Sequence, residues 1–282
     1  MNSQGIKDKL RSIVEKESID FNILLREYMY ERFIKRLSVS KFRLNFILKG
    51  GYYLSTVFGV YNRATMDIDA SLKNTDLSKE NLLDIVSEII NIDIGDGAVF
   101  NIDCISFIRD EDEYGGYRIT LTVKIDSMTE TFHFDVATGD PITPSEISYK
   151  YKSIIDGSYI KVLAYNLETV LAEKLETIFS RGEKNSRMKD YFDIYLIMHF
   201  KLNEINIDYL KLAINNTFIK REFSGDIVKN FDDIKVSKVL KTRWNSYLKR
   251  KHVYNLPYNE VINCIEKIIE FVDKDVFAIS SK

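Results

Sequence analysis

The sequence predicts an α+β protein: a mixed-sheet domain over residues 1–150, preceded by its own N-terminal helices, then a helical domain over residues 151–282. Three observations carry this reading. Strand-like runs cluster between residues 46 and 136, whereas helical spacing dominates after residue 166. Between them lies Gly139-Asp140-Pro141-Ile142-Thr143-Pro144-Ser145, which holds two of the three prolines and is the strongest breaker in the chain. No internal repeat or low-complexity tract interrupts either part.

Taken in order, residues 7–37 place Ile13, Phe21, Leu24, Leu25, Tyr28, Phe33 and Ile34 at helical spacing, as one helix or two. Residues 46–48 read as a short buried strand, and residues 52–58 as a helix starting at Gly50-Gly51. Residues 66–72 alternate, with Asp67, Asp69 and Ser71 on one side. Ser78 suits the N-cap of a helix reaching residue 90, and its first turn is acidic. Strands are expected at 99–108, 117–125 and 129–136, with Gly115-Gly116 marking a hairpin between the first two. Beyond the breaker, Asn166 caps a helix over 167–180, and further helices are expected at 188–200, 208–217 and 259–272.

Composition narrows the function classes. Hydrophobic residues make up 45 % and charged residues 29 % of 282, an ordinary soluble balance. The net charge of −2 gives no global signal for a polyanion, so a nucleic-acid site must be a local patch. Cys104 and Cys264 are too few and too far apart for a disulfide framework or a zinc site, and His133, His199 and His252 are the only histidines. The first residues lack the apolar core of a signal peptide, and no apolar run approaches the roughly 18 residues of a membrane span. A cytoplasmic protein without membrane association is expected.

The chemistry concentrates in Asp67-Ile68-Asp69. Carboxylates at i and i+2 of a strand point to one face, with Cα atoms roughly 6–7 Å apart. Hard divalent cations need oxygen ligands gathered this way. Gly50 and Gly51 upstream let backbone approach a phosphate closely. Asp135, inside the strand Phe132-His133-Phe134-Asp135-Val136, is a candidate third carboxylate; the alternative is a strand-end acid in solvent. Three converging acids would suit two metals about 3.5–4 Å apart. Arg63 and Thr65 are placed to touch phosphate or to orient the aspartates, or simply to turn a loop into the strand. Lys49 reads mainly as a solvated strand end.

A second group is helical. Lys174 lies at the edge of the stripe formed by Leu167, Val170, Leu171, Leu175 and Ile178, where a lysine can reach a triphosphate or snorkel to water. Asp190 and Asp193 share a helix face at i, i+3. Asp193 sits between Phe192 and Ile194 and so wants a partner, which Lys174 or Arg187 can supply. A third feature is basic: residues 235–252 hold seven Lys or Arg and no acid, with Trp244 and Tyr247 among them. Lys241, Arg243, Lys249 and Arg250 are candidate RNA contacts, with aromatic stacking beside them. The alternative is a solvated helix whose aromatics enter the core.

The segment Gly50-Gly51…Arg63-Ala64-Thr65-Met66-Asp67-Ile68-Asp69 resembles the nucleotidyltransferase superfamily with a polymerase-β-like core. Three later segments resemble the AbiEii/AbiGii toxin family: Asp135-Val136-Ala137-Thr138-Gly139-Asp140-Pro141-Ile142, Glu168-Thr169-Val170-Leu171-Ala172-Glu173-Lys174-Leu175, and residues 187–195. These are abortive-infection toxins of bacterial type IV toxin–antitoxin systems, acting in phage defence. The likeness runs in order over residues 46–195. It implies binding of a nucleoside triphosphate with Mg2+ (or Mn2+) and transfer of nucleotides to RNA, in some members the 3′ end of tRNA. It also implies a separately encoded antitoxin with a winged-helix domain. By matching position the metal acids are Asp67 and Asp69, the motif lysine is Lys174, and the late acidic motif falls on Asp190 and Asp193. Many relatives carry Gly-Ser where this chain has Gly50-Gly51, so a serine hydroxyl for phosphate is missing there.

Two other readings stay open at this stage. One is a transferase acting on a protein side chain or a small molecule such as an aminoglycoside. The other is a nucleotide-binding interaction protein with no catalysis.

Overall fold

A computed structural model describes residues 3–108, 115–251 and 255–272. The chain divides into two compact units: residues 1–139 with 146–165, and residues 140–145 with 166–282.

The first unit is built on a seven-stranded mixed sheet in the order β3-β4-β5-β2-β1-β7-β6. Its elements are α1 (Ser3–Glu17), α2 (Phe21–Val39), β1 (Phe46–Lys49), α3 (Gly50–Phe58), β2 (Asp67–Leu72), α4 (Lys79–Ile90), β3 (Val99–Ile108), β4 (Gly116–Ile125), β5 (Met128–Ala137), β6 (Ile147–Lys152) and β7 (Tyr159–Ala164). The expected N-terminal helical stretch is two helices. The first ends at Glu17, and Asp20 caps the second, accepting the N–H groups of Asn22 and Ile23. The strands flanking Gly115-Gly116 pair antiparallel as expected, while the connecting residues 109–114 lie outside the described residues.

Alternation divides the central strands into two faces. Ile68, Ala70 and Leu72 of β2 share one face with Phe132, Phe134 and Val136 of β5, and all are buried. Helix α2 packs there, with Tyr30 4.8 Å from Phe132 and Phe33 4.9 Å from Phe134, ring centre to ring centre. Each fully buried apolar side chain of this kind contributes about 1.5–3 kcal/mol. The other face carries Asp67, Asp69 and Asp135.

The boundary expected at residue 150 falls inside β6. Residues 151–164, expected to open a helical domain, instead complete β6 and form β7, two strands that extend the sheet past β1. The reason is long-range pairing: β7 lies parallel to β1, with Ile47 opposite Leu163 and Leu48 opposite Ala164. The breaker marks a brief excursion to the second unit. There the Thr143 N–H donates to Thr169 Oγ1, and Asn166 Nδ2 donates to the carbonyls of Thr143 and Ser145.

The second unit is helical: α5 (Leu167–Arg181), α6 (Met188–Phe200), α7 (Ile207–Lys220), α8 (Ile227–Val236), α9 (Lys238–Lys251) and α10 (Tyr258–Phe271). Asn166 caps α5 by accepting the Thr169 N–H at 2.7 Å. Arg221, the C-cap of α7, reaches Glu173 and Glu176 of α5 together with Asp140, fastening the excursion to the helices.

Candidate active site

The register of four strands composes the acidic site. Asp69 lies opposite Lys49 on β1 and opposite Asp135 on β5, and Asp135 lies opposite Arg118 on β4. Residues paired across strands share a face, so the sheet carries a row Arg118, Asp135, Asp69, Lys49 with Asp67 two residues from Asp69. His133 is the partner of Asp67 and lies 3.3 Å from the Thr120 hydroxyl through Nδ1.

The glycines shape the ground beside Asp69. Gly50 adopts φ +62°, and a Cβ there would stand 2.1 Å from Asp69 Oδ2. Gly51, in the first turn of α3, donates its N–H to the same oxygen at 3.3 Å. A Cβ on Gly51 would meet Thr65 Oγ1 at 2.3 Å. Helix N-terminus and carboxylate therefore meet because both positions are glycine.

Thr65 and Arg63 build this ground and do not project from it. Thr65 Oγ1 donates to the Asp67 carbonyl, and Arg63, only 4 % exposed, donates from Nη1 to the Ala64 carbonyl. Helix α2 holds the same stretch from the other side. Glu27 accepts the Thr65 N–H and the Ser55 hydroxyl, and the Tyr30 hydroxyl donates to the Met66 carbonyl at 2.8 Å. Burial pushes the Glu27 carboxyl up to about 7, against the pull of those hydrogen bonds and of Arg63 and Arg26. Burial, then repulsion from Asp135 and Asp69, raises the pKa of Asp67.

Sequence reasoning missed Arg118, Glu27 and Tyr30. Arg118 donates to both oxygens of Asp135, Nε to Oδ1 at 2.8 Å and Nη2 to Oδ2 at 2.7 Å. Its place in Tyr117-Arg118-Ile119-Thr120-Leu121 alternates correctly, but only register shows which acid it faces. Glu27 carried a weaker signal, a charge inside the apolar stripe of α2.

In the second unit α5 and α6 bring Lys174 to both late acids. Its Nζ lies 2.9 Å from Asp190 Oδ1 and 2.6 Å from Asp193 Oδ2. Asp193 is fully buried, and the lysine side chain retains 11 % exposure. Arg187 Nε donates to Asp190 Oδ2 at 3.0 Å. Burial works against the Asp190 anion, yet Lys174 and Arg187 outweigh it and lower its pKa.

The basic segment forms α9. Lys241, Lys249 and Arg250 are exposed, whereas Arg243 donates to the carbonyls of Glu183 and Asn185. For Trp244 the alternative reading, an aromatic in the core, holds. Trp244 is wholly buried, its Nε1–H donates to the Leu256 carbonyl, and Tyr247 stacks on it. The apolar spacing of Leu240, Trp244 and Leu248 places the indole in the core, and His252 lies outside the described residues.

Comparison with known proteins bears on this arrangement. The model of the family described as nucleotidyl transferase AbiEii toxin, type IV TA system, matches residues 32–260. The chain belongs to the AbiEii family. Membership makes it one of the nucleotidyltransferase toxins of type IV systems, which implies an antitoxin as a separate partner. The crystal structure of JHP933 from Helicobacter pylori is similar in fold, with a TM-score of 0.51 at 20 % identity over 93 % of this chain and 97 % of that one. A candidate nucleotidyltransferase from H. pylori gives 0.51 at 19 % identity over 91 % and 98 %. No curated protein matches the chain. Among the described residues, no helix is long and apolar enough to cross a membrane.

The same residues can be tested against a divalent cation. Among the described residues, no three His, Cys, Asp or Glu side chains are gathered as a ready metal group. Asp67 and Asp69 nevertheless offer hard oxygen donors on one face, and their mutual repulsion is what a cation relieves. The pair fits Mg2+ or Mn2+.

Proposed function

We propose that this AbiEii-family chain is a cytoplasmic, Mg2+-dependent (or Mn2+-dependent) enzyme that moves a nucleoside monophosphate from an NTP to an RNA hydroxyl, at the 3′ end of tRNA, and so blocks translation. A cognate winged-helix antitoxin, separately encoded, would restrain it, and the setting would be abortive infection against phage. The observation that carries the reading is the meeting of Asp69 with the Gly51 N–H at the start of α3, beside Asp67 on the same face.

Asp67 and Asp69 would hold the cation, which when bound supplies charge neutralisation for the polyphosphate. The α3 N-terminus, where Gly50 and Gly51 leave room beside Asp69, would let phosphate oxygens approach the backbone closely in place of the serine hydroxyl found in many relatives. The acceptor oxygen bonds to the α-phosphorus as the bond to pyrophosphate breaks, and the hydroxyl proton is released. Lys174 would serve as the family's motif lysine, with Arg187 as a second positive charge in its own unit, and Asp190 and Asp193 fix the lysine in place. Positioning and electrostatics do most of the work in such transfers.

One observation favours a second reading. With Trp244 buried, α9 offers charge without an exposed indole, which leaves room for a protein or small-molecule acceptor. Incubation with each labelled NTP and total bacterial RNA decides between them. A labelled species of tRNA size, lost in Asp67→Asn, is expected. Labelling of protein alone would move the reading to the second class, and labelling that persists in a folded Asp67→Asn variant would remove Asp67 from the chemistry.

A further inference from the structure

Asp135 is the natural third carboxylate of the acidic face, directly opposite Asp69 on the neighbouring strand. Both of its oxygens are committed to one guanidinium, Arg118 Nε at 2.8 Å and Nη2 at 2.7 Å. The arrangement is built and not incidental. The two residues are register partners on β4 and β5, and the bidentate fork suits planar carboxylate recognition. The acid is largely buried, with 17 % of its side chain exposed against 39 % for the arginine. Arginine keeps its charge at every accessible pH, so the pairing is permanent in a way a histidine or lysine pairing is not.

Ligand availability then separates two sites that look alike in sequence. With both Asp135 oxygens taken by Arg118, Asp67 and Asp69 are the carboxylates left on this row to gather a cation, and Lys49 opposite Asp69 adds further positive charge to the face. Three carboxylates without Arg118 would present the acid set of a two-metal phosphoryl-transfer site. Resting on the nucleotidyltransferase reading above, we infer that this enzyme binds a single divalent cation, on Asp67 and Asp69, and that Arg118 occupies the place at Asp135 where a second cation would gather. Asp135 is then a positioning residue that holds Arg118 against the acid pair, and no metal ligand.

Counting ions tests this without any turnover. The full chain is titrated with Mn2+ alone, and the free hexaaqua ion is read by electron paramagnetic resonance. The wild type should bind one Mn2+. Arg118→Gln should bind two, because Asp135 is released. Arg118→Gln combined with Asp135→Asn keeps the wild-type net charge and should again bind one, at similar affinity. That double variant guards against failure of the single one to fold, which circular dichroism monitors. Two ions in the wild type overturn the inference while leaving the nucleotidyltransferase reading intact. So does a single ion in folded Arg118→Gln, or a loss of affinity of about tenfold or more in the double variant, the usual mark of a missing metal-site contact. No bound ion in any form would overturn both the inference and the metal-dependent reading beneath it.

Discussion

Glu27 is 1 % exposed, and its carboxyl titrates at about 7 where an exposed glutamate has 4.5. The folded protein therefore holds a proton that the unfolded chain has already released between those values. Stability from this group is complete below about pH 4.5 and is lost as pH rises through 7, a swing of about 2–3 kcal/mol between pH 5 and pH 8. Glu27→Gln keeps an acceptor for the Thr65 N–H and cannot ionise, so its unfolding free energy should gain on the wild type by that amount over the same range. Urea unfolding at both pH values measures it, and a constant difference would mean that Glu27 is already an anion in the folded state. Gly50 gives a second prediction at this scale. Alanine there must accept φ +62° and displace Asp69 Oδ2, which a Cβ would meet at 2.1 Å. The backbone alone costs roughly 1–2 kcal/mol, and the displaced carboxylate should lose nucleotide transfer while the far-ultraviolet spectrum is kept. Asp67, Asp69 and the glycines were legible because their chemistry is local: adjacent residues, one strand, one turn. Arg118 and Glu27 were not, because each acts through a partner 17 or 38 residues away.

Elements decide how far a loss of activity can be interpreted. Helices α5 and α6 are joined at Lys174, which carries the charge balance for Asp190 and a fully buried Asp193. Removing one partner of such a group leaves an uncompensated anion, at a cost of about 3–5 kcal/mol. Lys174→Met should therefore be inactive and markedly less stable, and inactivity alone says nothing about catalysis. Adding Asp193→Asn removes the buried anion and should recover much of the stability, as denaturant midpoints will show. If the lysine also meets the polyphosphate, transfer stays absent in the recovered protein; returning activity would assign Lys174 a purely structural role. This pairing was anticipated from an acid lodged between Phe192 and Ile194, which demanded a partner. The strands β6 and β7 were not anticipated, although Tyr159-Ile160-Lys161-Val162-Leu163-Ala164 alternates well enough. The prolines before them mimic a domain end, and nothing local announces that residue 163 lies opposite residue 47.

At the scale of the whole molecule, charge is the property that matters for an RNA substrate. The chain carries −2 overall, so it has no general attraction for polyanions, and any attraction must come from a patch. Lys241, Lys249 and Arg250 of α9 are exposed, while Arg243 is spent on two backbone carbonyls and Trp244 on the core. Binding through these three would be electrostatic and tolerant of sequence. Three phosphate contacts give a slope of about −2 to −3 when log affinity is plotted against log salt. Replacing all three with glutamine should flatten that slope by the same amount for tRNA. It should raise KM steeply and leave kcat nearly unchanged, because the three are assigned to docking and none to the transfer step. Stability should hardly move, since exposed positions on a helix cost little when changed. The salt dependence is the informative readout. A variant that keeps the wild-type slope would show that RNA docks through other residues. A wild type with no slope at all would show that the acceptor is no polyanion, and the protein or small-molecule reading would then take its place, consistent with an indole spent on the core and not on base stacking.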